Sequence, residues 1–430
     1  MMTTNVTSSA TGSPLGADER RALRDTRAGT GYSENHDSRA AGAEAARAAV
    51  AQAGVSECDL VLLFATDKHD PALVREGVRS VVGPGPRLAG GASMGVITGA
   101  NLGYEGHQVG VAVIASDSMK VDLFVQGGVA GNEYDVGCAL GGQIHDAAAA
   151  GTFTGEPNML LLYDIVNRGM TEGFSLNMAT PLLAGLAESL GTWPRTAGGG
   201  LMGSMQWNPG FQWFDNRIEQ HNAMALVFHG GVRMDSTIIH GCKPSSGYHT
   251  ITKADGNVVL ELDGEPILDV VSRLAGSADA SDFRDYPLFI TLGINNGEQF
   301  GEYREDDYSV RLCMDVDMDR RGLVFFGDDL QAGTVVQLMR RSIDYEYIRR
   351  RAETLLGGLD GRHPFLALYI DCAGRASAFC GSEREEAEEV QKVVGSKLPL
   401  LGWYVGCEIA KAGPIMQSHN WTGILCVLSE

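Results

Sequence analysis

Several groups of residues in this chain have the types and spacing that chemistry requires. Gly91-Ala-Ser93-Met-Gly95 spells G-x-S-x-G, the turn that presents a serine nucleophile in many hydrolases, and His419 lies downstream as that order requires. Such an elbow needs a helix directly after the serine, whereas Val96-Ile-Thr-Gly-Ala-Asn-Leu-Gly103 reads as turn and loop. The competing reading is a glycine loop that is structural or meets a ligand with its main chain. Gly198-Gly199-Gly200-Leu-Met-Gly203 satisfies G-x-G-x-x-G, but Ser204-Met-Gln-Trp-Asn-Pro209 cannot supply the helix a dinucleotide site needs after it. Asp315-Val-Asp317-Met-Asp319 has the first ligand positions of a calcium loop, yet Arg320 stands where glycine is required and no glutamate closes the loop. It reads as an exposed acidic turn.

A second group lies near the C-terminus. Arg375 follows Cys372-Ala-Gly374 just after an apolar run, where a guanidinium suits a carboxylate or propionate, or a structural pairing with Glu408. His419 precedes Asn420, close in sequence to Cys407 and Glu408. A neutral imidazole or a thiolate can ligate haem iron, so His419 and Cys407 are the candidate metal ligands and haem the candidate cofactor. The alternative is a histidine that bonds its own loop. The candidate ligand-binding set is Gly91, Ser93, Gly199, Gly200, Cys372, Arg375, Glu408 and His419.

The elements that must position these residues recur three times. Asp59–Ala65, Asn158–Asp164 and Pro364–Asp371 are short apolar runs of the kind that forms strands buried on both faces. Each is followed by a helix-like segment, then by small residues read as a loop (Leu88–Gly95, Thr196–Gly203, Leu400–Glu408), then by a closing strand that a histidine enters: His107–Ile114, His221–Phe228 and His419–Val427. Helices are expected over Asp37–Ala53, Asp70–Val82, Asn132–Ala150, Asp269–Ala275 and Glu383–Val394. Lys120–Gly128 adds a strand, and an aromatic stretch, Trp207–Phe214, interrupts the second copy. Beyond Gly230 the pattern turns to short alternating strands, Ser236–His240, Tyr248–Thr252, Val258–Leu262, Tyr286–Leu292, Tyr308–Met314 and Gly322–Phe326, with a hairpin signal at Ala254-Asp-Gly-Asn257 and a loose linker over Ser277–Asp282. The fold class is α/β, in two domains of layered sheets and helices built from the repeated strand, helix, glycine loop and strand, with a β-rich portion in the middle. The expected division is a disordered tail over 1–28, one domain over 29–232 and another over 233–430.

Composition excludes some partners. The formal net charge of -20, with acids scattered rather than blocked, argues against nucleic acid or an anionic membrane surface. Fifty-six glycines in 430 residues is nearly double the usual share of about 7%, which implies many places of close backbone approach. None of the eight cysteines pairs in a C-x-x-C, so reduced thiols in a cytoplasmic protein are expected. The first residues lack the apolar core of a secretion signal, and no apolar run reaches the roughly 18 residues of a spanning helix.

From about Gly29 to Glu430 the chain resembles proteins with fused FIST N and FIST C domains. The resemblance is carried by His240-Gly-Cys-Lys-Pro244, Thr250–Pro266, Tyr286-Pro-Leu288, Cys372-Ala-Gly-Arg375, Gly402–Ile409 and His419-Asn420, with Asp59–Ala65, Gly90–Gly95 and Gly198–Gly203 in the first half. It implies a bacterial intracellular sensory module that binds a small ligand, with amino acids suggested. Some members bind haem, sense nitric oxide and control a histidine kinase or a cyclic-nucleotide enzyme. The loop at Ser93-Met94-Gly95 departs from the family's usual Ser-Thr pattern, and Met202-Gly-Ser-Met205 lacks the usual Asp-Gly pair. The expected function is ligand sensing read by a separate partner, against a haem-dependent sensor or enzyme and a serine hydrolase using Ser93.

Overall fold

The computed structural model describes residues 25–170, 173–275 and 290–430. The linker at Ser277–Asp282, most of the expected strand at Tyr286–Leu292 and nearly all of the N-terminal tail lie outside the described residues. Arg27–Ser33 is a strand.

The repeat read from the sequence is present as three α/β units. In each, two strands run parallel, and a third lies antiparallel to the first of them. The parallel pairs are Leu60–Ala65 with Arg87–Ala92, Asn158–Asp164 with Arg195–Leu201, and Pro364–Cys372 with Leu400–Val405. The antiparallel neighbours are Val109–Ala115, Asn222–His229 and Gly423–Ser429. Helices fall where capping chemistry starts them. Asp37 caps Ser38–Ala53 by accepting from Ala40 N, and Asp70 caps Pro71–Val82 with proline in its first turn. Gly54 in the left-handed conformation stops the first. The helix expected over Glu383–Val394 is shorter, an α turn at Ala387–Val390 that widens into a π turn at Gln391–Gly395.

Alternation along the strands sorts two cores. Leu60, Leu62 and Phe64, Leu160 and Leu162, and Leu366, Leu368 and Ile370 all face one shared centre where the three sheets meet. Phe64 stacks on Trp403 there, ring centres 4.0 Å apart. The intervening residues face outward under helices. Val61, Leu63 and Ala65 lie under the first two helices, and Leu161, Tyr163, Ala367 and Tyr369 lie under the later ones. Strands buried on both faces are why these runs read as unbroken apolar sequence.

The segments read as glycine loops are themselves strands. A Cβ on Gly90 would sit 1.8 Å from Leu63 O, on Gly198 1.9 Å from Leu161 O, and on Gly402 2.7 Å from Tyr369 O. Glycine stands at this register position in all three units because the neighbouring backbone occupies the place of a side chain.

Each sheet is completed by a hairpin from another unit. The first takes Gln212–Phe214 and Arg217–Glu219 from the second unit. The second takes Cys407–Ala412 and Ile415–His419 from the third, and the third takes Gly95–Thr98 and Leu102–Tyr104 from the first. The exchange is cyclic, so no unit keeps its own hairpin. The aromatic stretch before Phe214 is therefore not an insertion. Trp213 is buried on the first unit's helix, its indole N–H donating to Pro71 O at 3.0 Å.

The β-rich portion closes into a barrel of Val335–Arg341, His249–Asp255, Val258–Leu262, Gly322–Phe325, Tyr308–Asp317 and Thr291–Asn295, the last pairing back onto the first. The sequence reading missed Val335–Arg341 and the helix Tyr345–Gly357 after it. The barrel's core, with Ile251, Leu292, Phe325 and Leu338, also takes the apolar face of the helix Ile267–Ala275. Buried Arg311 docks the barrel on the exchanged hairpin by donating to Ser418 O at 2.7 Å while pairing with Asp329.

Candidate functional site

The third unit ends its first parallel strand on Asp371-Cys372, where a short 3-10 turn, Ala373–Arg375, folds the guanidinium of Arg375 back under the sheet. Arg375 is 2% exposed. Its Nε donates to Asp371 Oδ1 at 2.8 Å, and its Nη1 donates to Ile239 O at 3.0 Å and to Trp421 O at 3.1 Å. Its Nη2 lies 2.6 Å from Glu386 Oε2 as an ion pair without hydrogen-bond alignment. Arg341 Nη2 is 2.6 Å from the same carboxylate and places its guanidinium carbon 4.6 Å from the centre of the Trp421 ring. The pairing with Glu408 weighed from the sequence is replaced by this Asp371–Arg375–Glu386–Arg341 chain.

Glu408 is near Arg375 without pairing to it. Its Oε2 accepts from Thr422 N at 3.2 Å, and Cys372 N donates to Thr422 O at 3.2 Å, so both residues are tied to one turn. Burial pushes the Glu408 carboxyl well above its ordinary range; the Thr422 amide opposes that shift and Asp371 reinforces it. The shift favours the protonated form of Glu408, which has an O–H to donate. Burial also raises Asp371 to about 6, with Arg375 pulling down and Glu386 pushing up. The two guanidinium groups thus face two carboxyl groups, Asp371 and Glu386.

Four buried polar groups beside this chain have no hydrogen-bond partner among the described residues: Tyr369 Oη, Tyr404 Oη, Trp421 Nε1 and Glu408 Oε1. Tyr369 and Asp371 alternate outward on one strand, and Tyr404 is the parallel neighbour of Asp371. All four groups can donate. Leaving even two unpaired costs about 2–6 kcal/mol. That is a large part of a domain's stability. The result is a buried cluster of polar groups at the carboxyl ends of two parallel strands, the place where open α/β sheets bind ligands. Sequence reasoning missed Asp371, Glu386, Arg341, Tyr369, Tyr404 and Trp421. One signal was visible: an aspartate that ends an otherwise apolar strand four residues before an arginine.

The candidate residues divide. Cys372, Arg375 and Glu408 come together at the polar cluster. Gly199, Glu408 and His419 stand in one row across the second sheet. Gly199 meets Cys407 O there, where a Cβ would approach to 2.8 Å, and a Cβ on Gly91 would collide with Leu201 Cδ1 at 2.5 Å and on Gly200 with the Tyr163 ring at 2.9 Å. These glycines let strands approach. Ser93 is fully buried, its hydroxyl directed at Gly95 O (2.5 Å) and Tyr404 O (3.1 Å) and accepting from Tyr404 N (3.1 Å). It is followed by the strand Gly95–Thr98. The serine is fastened to main chain and meets no histidine in these hydrogen bonds, so the nucleophile-elbow reading is corrected to a structural one.

His419 ends the returning strand of the exchanged hairpin instead of opening the closing strand, which begins at Gly423. Its Nε2 is 3.3 Å from Ala410 O, and burial lowers its pKa to about 3. Burial pushes the Cys407 thiol up to about 12. One ring nitrogen is engaged, the thiol is held in its protonated form, and the described residues contain no cluster of three or more metal-ligating side chains. The other His419 ring nitrogen, Nδ1, is buried and has no hydrogen-bond partner among the described residues.

The chain belongs to the FIST family: the FIST N domain matches residues 59–265 and the FIST C domain residues 268–411. FIST domains are associated with small-ligand-binding sensory signalling. The chain is 24% identical over 203 residues to an uncharacterized protein of Mycobacterium tuberculosis, a match covering 46% of this chain and 52% of that protein. It is 23% identical over 203 residues to one of Mycobacterium bovis, with the same coverage. The chain thus spans about half the length of the curated relatives it matches. Among solved structures it is similar to a chorismatase, at 10% identity with a TM-score of 0.37 over 95% of this chain and 100% of that one. A cyanuric acid hydrolase from A. caulinodans gives 9% identity and a TM-score of 0.35 over 94% and 99%. Likeness at that level carries no argument about chemistry.

Proposed function

We propose that this protein is a sensory module that binds a small ligand at the buried polar cluster beside Arg375 and reports occupancy to a separate partner. The observation that carries the reading is the set of buried polar groups beside Arg375, Tyr369 Oη, Tyr404 Oη, Trp421 Nε1 and Glu408 Oε1, that have no hydrogen-bond partner among the described residues. A cluster of donors selects a guest rich in acceptors, and a small carboxylate such as an amino acid fits that chemistry. Arg375 positions the cluster rather than clasping the guest, because both carboxylates and two carbonyls already hold it.

The ligand would act by population shift, favouring one packing of the helical cover that carries Glu386 and so altering a surface read by a histidine kinase or a cyclic-nucleotide enzyme. No helix in the described residues is long and apolar enough to cross a membrane. The test is a thermal-shift titration of the full chain with glycine, L-alanine, L-glutamate and acetate, in the wild type and in Tyr404→Phe. A saturable shift that the single hydroxyl deletion weakens supports the site; an identical shift in both proteins removes Tyr404 from it.

A further inference from the structure

A second concave site, which that reading does not use, lies on the rim of the barrel. It is a groove of about 290 Å³ whose walls include Tyr248, Phe300, Tyr303 and Tyr308. The rings form two pairs, Tyr248 with Phe300 at 5.7 Å between centres and Tyr303 with Tyr308 at 5.3 Å.

The phenols do not point at a guest. Tyr248 donates to Gln299 O, Tyr303 to Cys242 O at 2.6 Å, and Tyr308 to Gln337 Oε1 at 2.8 Å. These bonds lock the rings; Tyr308 is buried, only 4% exposed, so the accessible ring surface belongs to Phe300, Tyr303 and Tyr248. Two of the three amide side chains that line the groove are spent as well, leaving that of Gln299. Asn295 Nδ2 donates to Tyr248 Oη at 2.8 Å and its Oδ1 accepts from Gly297 N at 2.9 Å, while Gln337 Nε2 donates to Ser246 O at 3.1 Å. What remains is aromatic face, the Gln299 amide and carboxylate. Glu302 and Asp307 line the groove against one base, Arg304, which is held loosely to Asp307 at 3.8 Å. Phe300 is 86% exposed, an unusual place for a phenylalanine.

Electron-rich ring faces beside excess negative charge select a cation too poorly hydrated to prefer water. We propose that this groove binds a small alkylated ammonium ion, of the choline and betaine class, against the accessible rings of Phe300, Tyr303 and Tyr248.

The test is isothermal titration of the full chain with choline and with 3,3-dimethylbutan-1-ol, its neutral isostere. Choline should bind saturably, and the isostere about tenfold more weakly or less, since it keeps the shape and loses the charge. Phe300→Leu, which keeps apolar surface at an exposed position and removes the ring, should weaken choline about fivefold. Absence of choline binding at about 10 mM, equal binding of the neutral alcohol, or unchanged affinity in Phe300→Leu would each overturn the assignment. A thermal-shift response to the amino-acid probes that survives in Phe300→Leu keeps the outcome separate from that of the Arg375 cluster.

Discussion

Replacing Arg375 by methionine keeps most of the side-chain volume and removes the charge. Asp371 and Glu386, each 1–2% exposed, would lose their shared cation, although Arg341 would still reach Glu386. Breaking a buried pair from one side costs about 3–5 kcal/mol. The carbonyls of Ile239 and Trp421 would also lose their donor, adding about 1–2 kcal/mol. The expected loss at pH 7.5 is therefore about 4–7 kcal/mol. It should shrink in acid, because Asp371, already raised to about 6 by burial, rises further without Arg375 and takes up a proton as pH falls. Arg375→Lys should fall between, since an ammonium cannot serve two carboxylates and two carbonyls at once. Urea unfolding followed by far-ultraviolet circular dichroism at pH 7.5 and 5.5 measures this. A loss under about 1 kcal/mol at pH 7.5, or an equal loss at both pH values, would refute the reasoning.

Gly198→Ala should cost at least about 3 kcal/mol and yield little folded protein, because the new methyl would sit 1.9 Å from Leu161 O, a backbone atom that cannot swing away; expression and thermal midpoint check it. Asp164 is raised to about 7 by burial, against the pull of the His221, Gly210 and Val166 amides. An acid whose folded pKa lies above its unfolded value lowers stability as pH rises from about 4 through 7, so Asp164→Asn should flatten that part of the stability–pH curve. An unchanged slope between pH 4 and 7 would remove Asp164 as its source.

Much of the architecture could be read from the chain because periodicity records burial. The three apolar runs are buried on both faces, and the Asp37 and Asp70 caps mark their helices. The glycine segments misled because a glycine that admits a neighbouring strand has the same one-letter pattern as a loop. The hairpin exchange was hidden since strand pairing between units leaves no trace in local spacing. His419 drew notice by its type, yet it is held in the exchanged hairpin. The residues that build the polar cluster were passed over because tyrosine and tryptophan in apolar runs look like core, and only the fold shows that their polar atoms lack partners among the described residues.

The most direct measurement is the thermal-shift titration of wild type and Tyr404→Phe with the small-carboxylate probes. A saturable stabilisation by at least one probe, reduced about fivefold or more in apparent affinity in Tyr404→Phe, is the predicted result. Tyr404→Phe simply raising the thermal midpoint, with every probe silent in both proteins, would show that the hydroxyl serves no guest and would contradict the account.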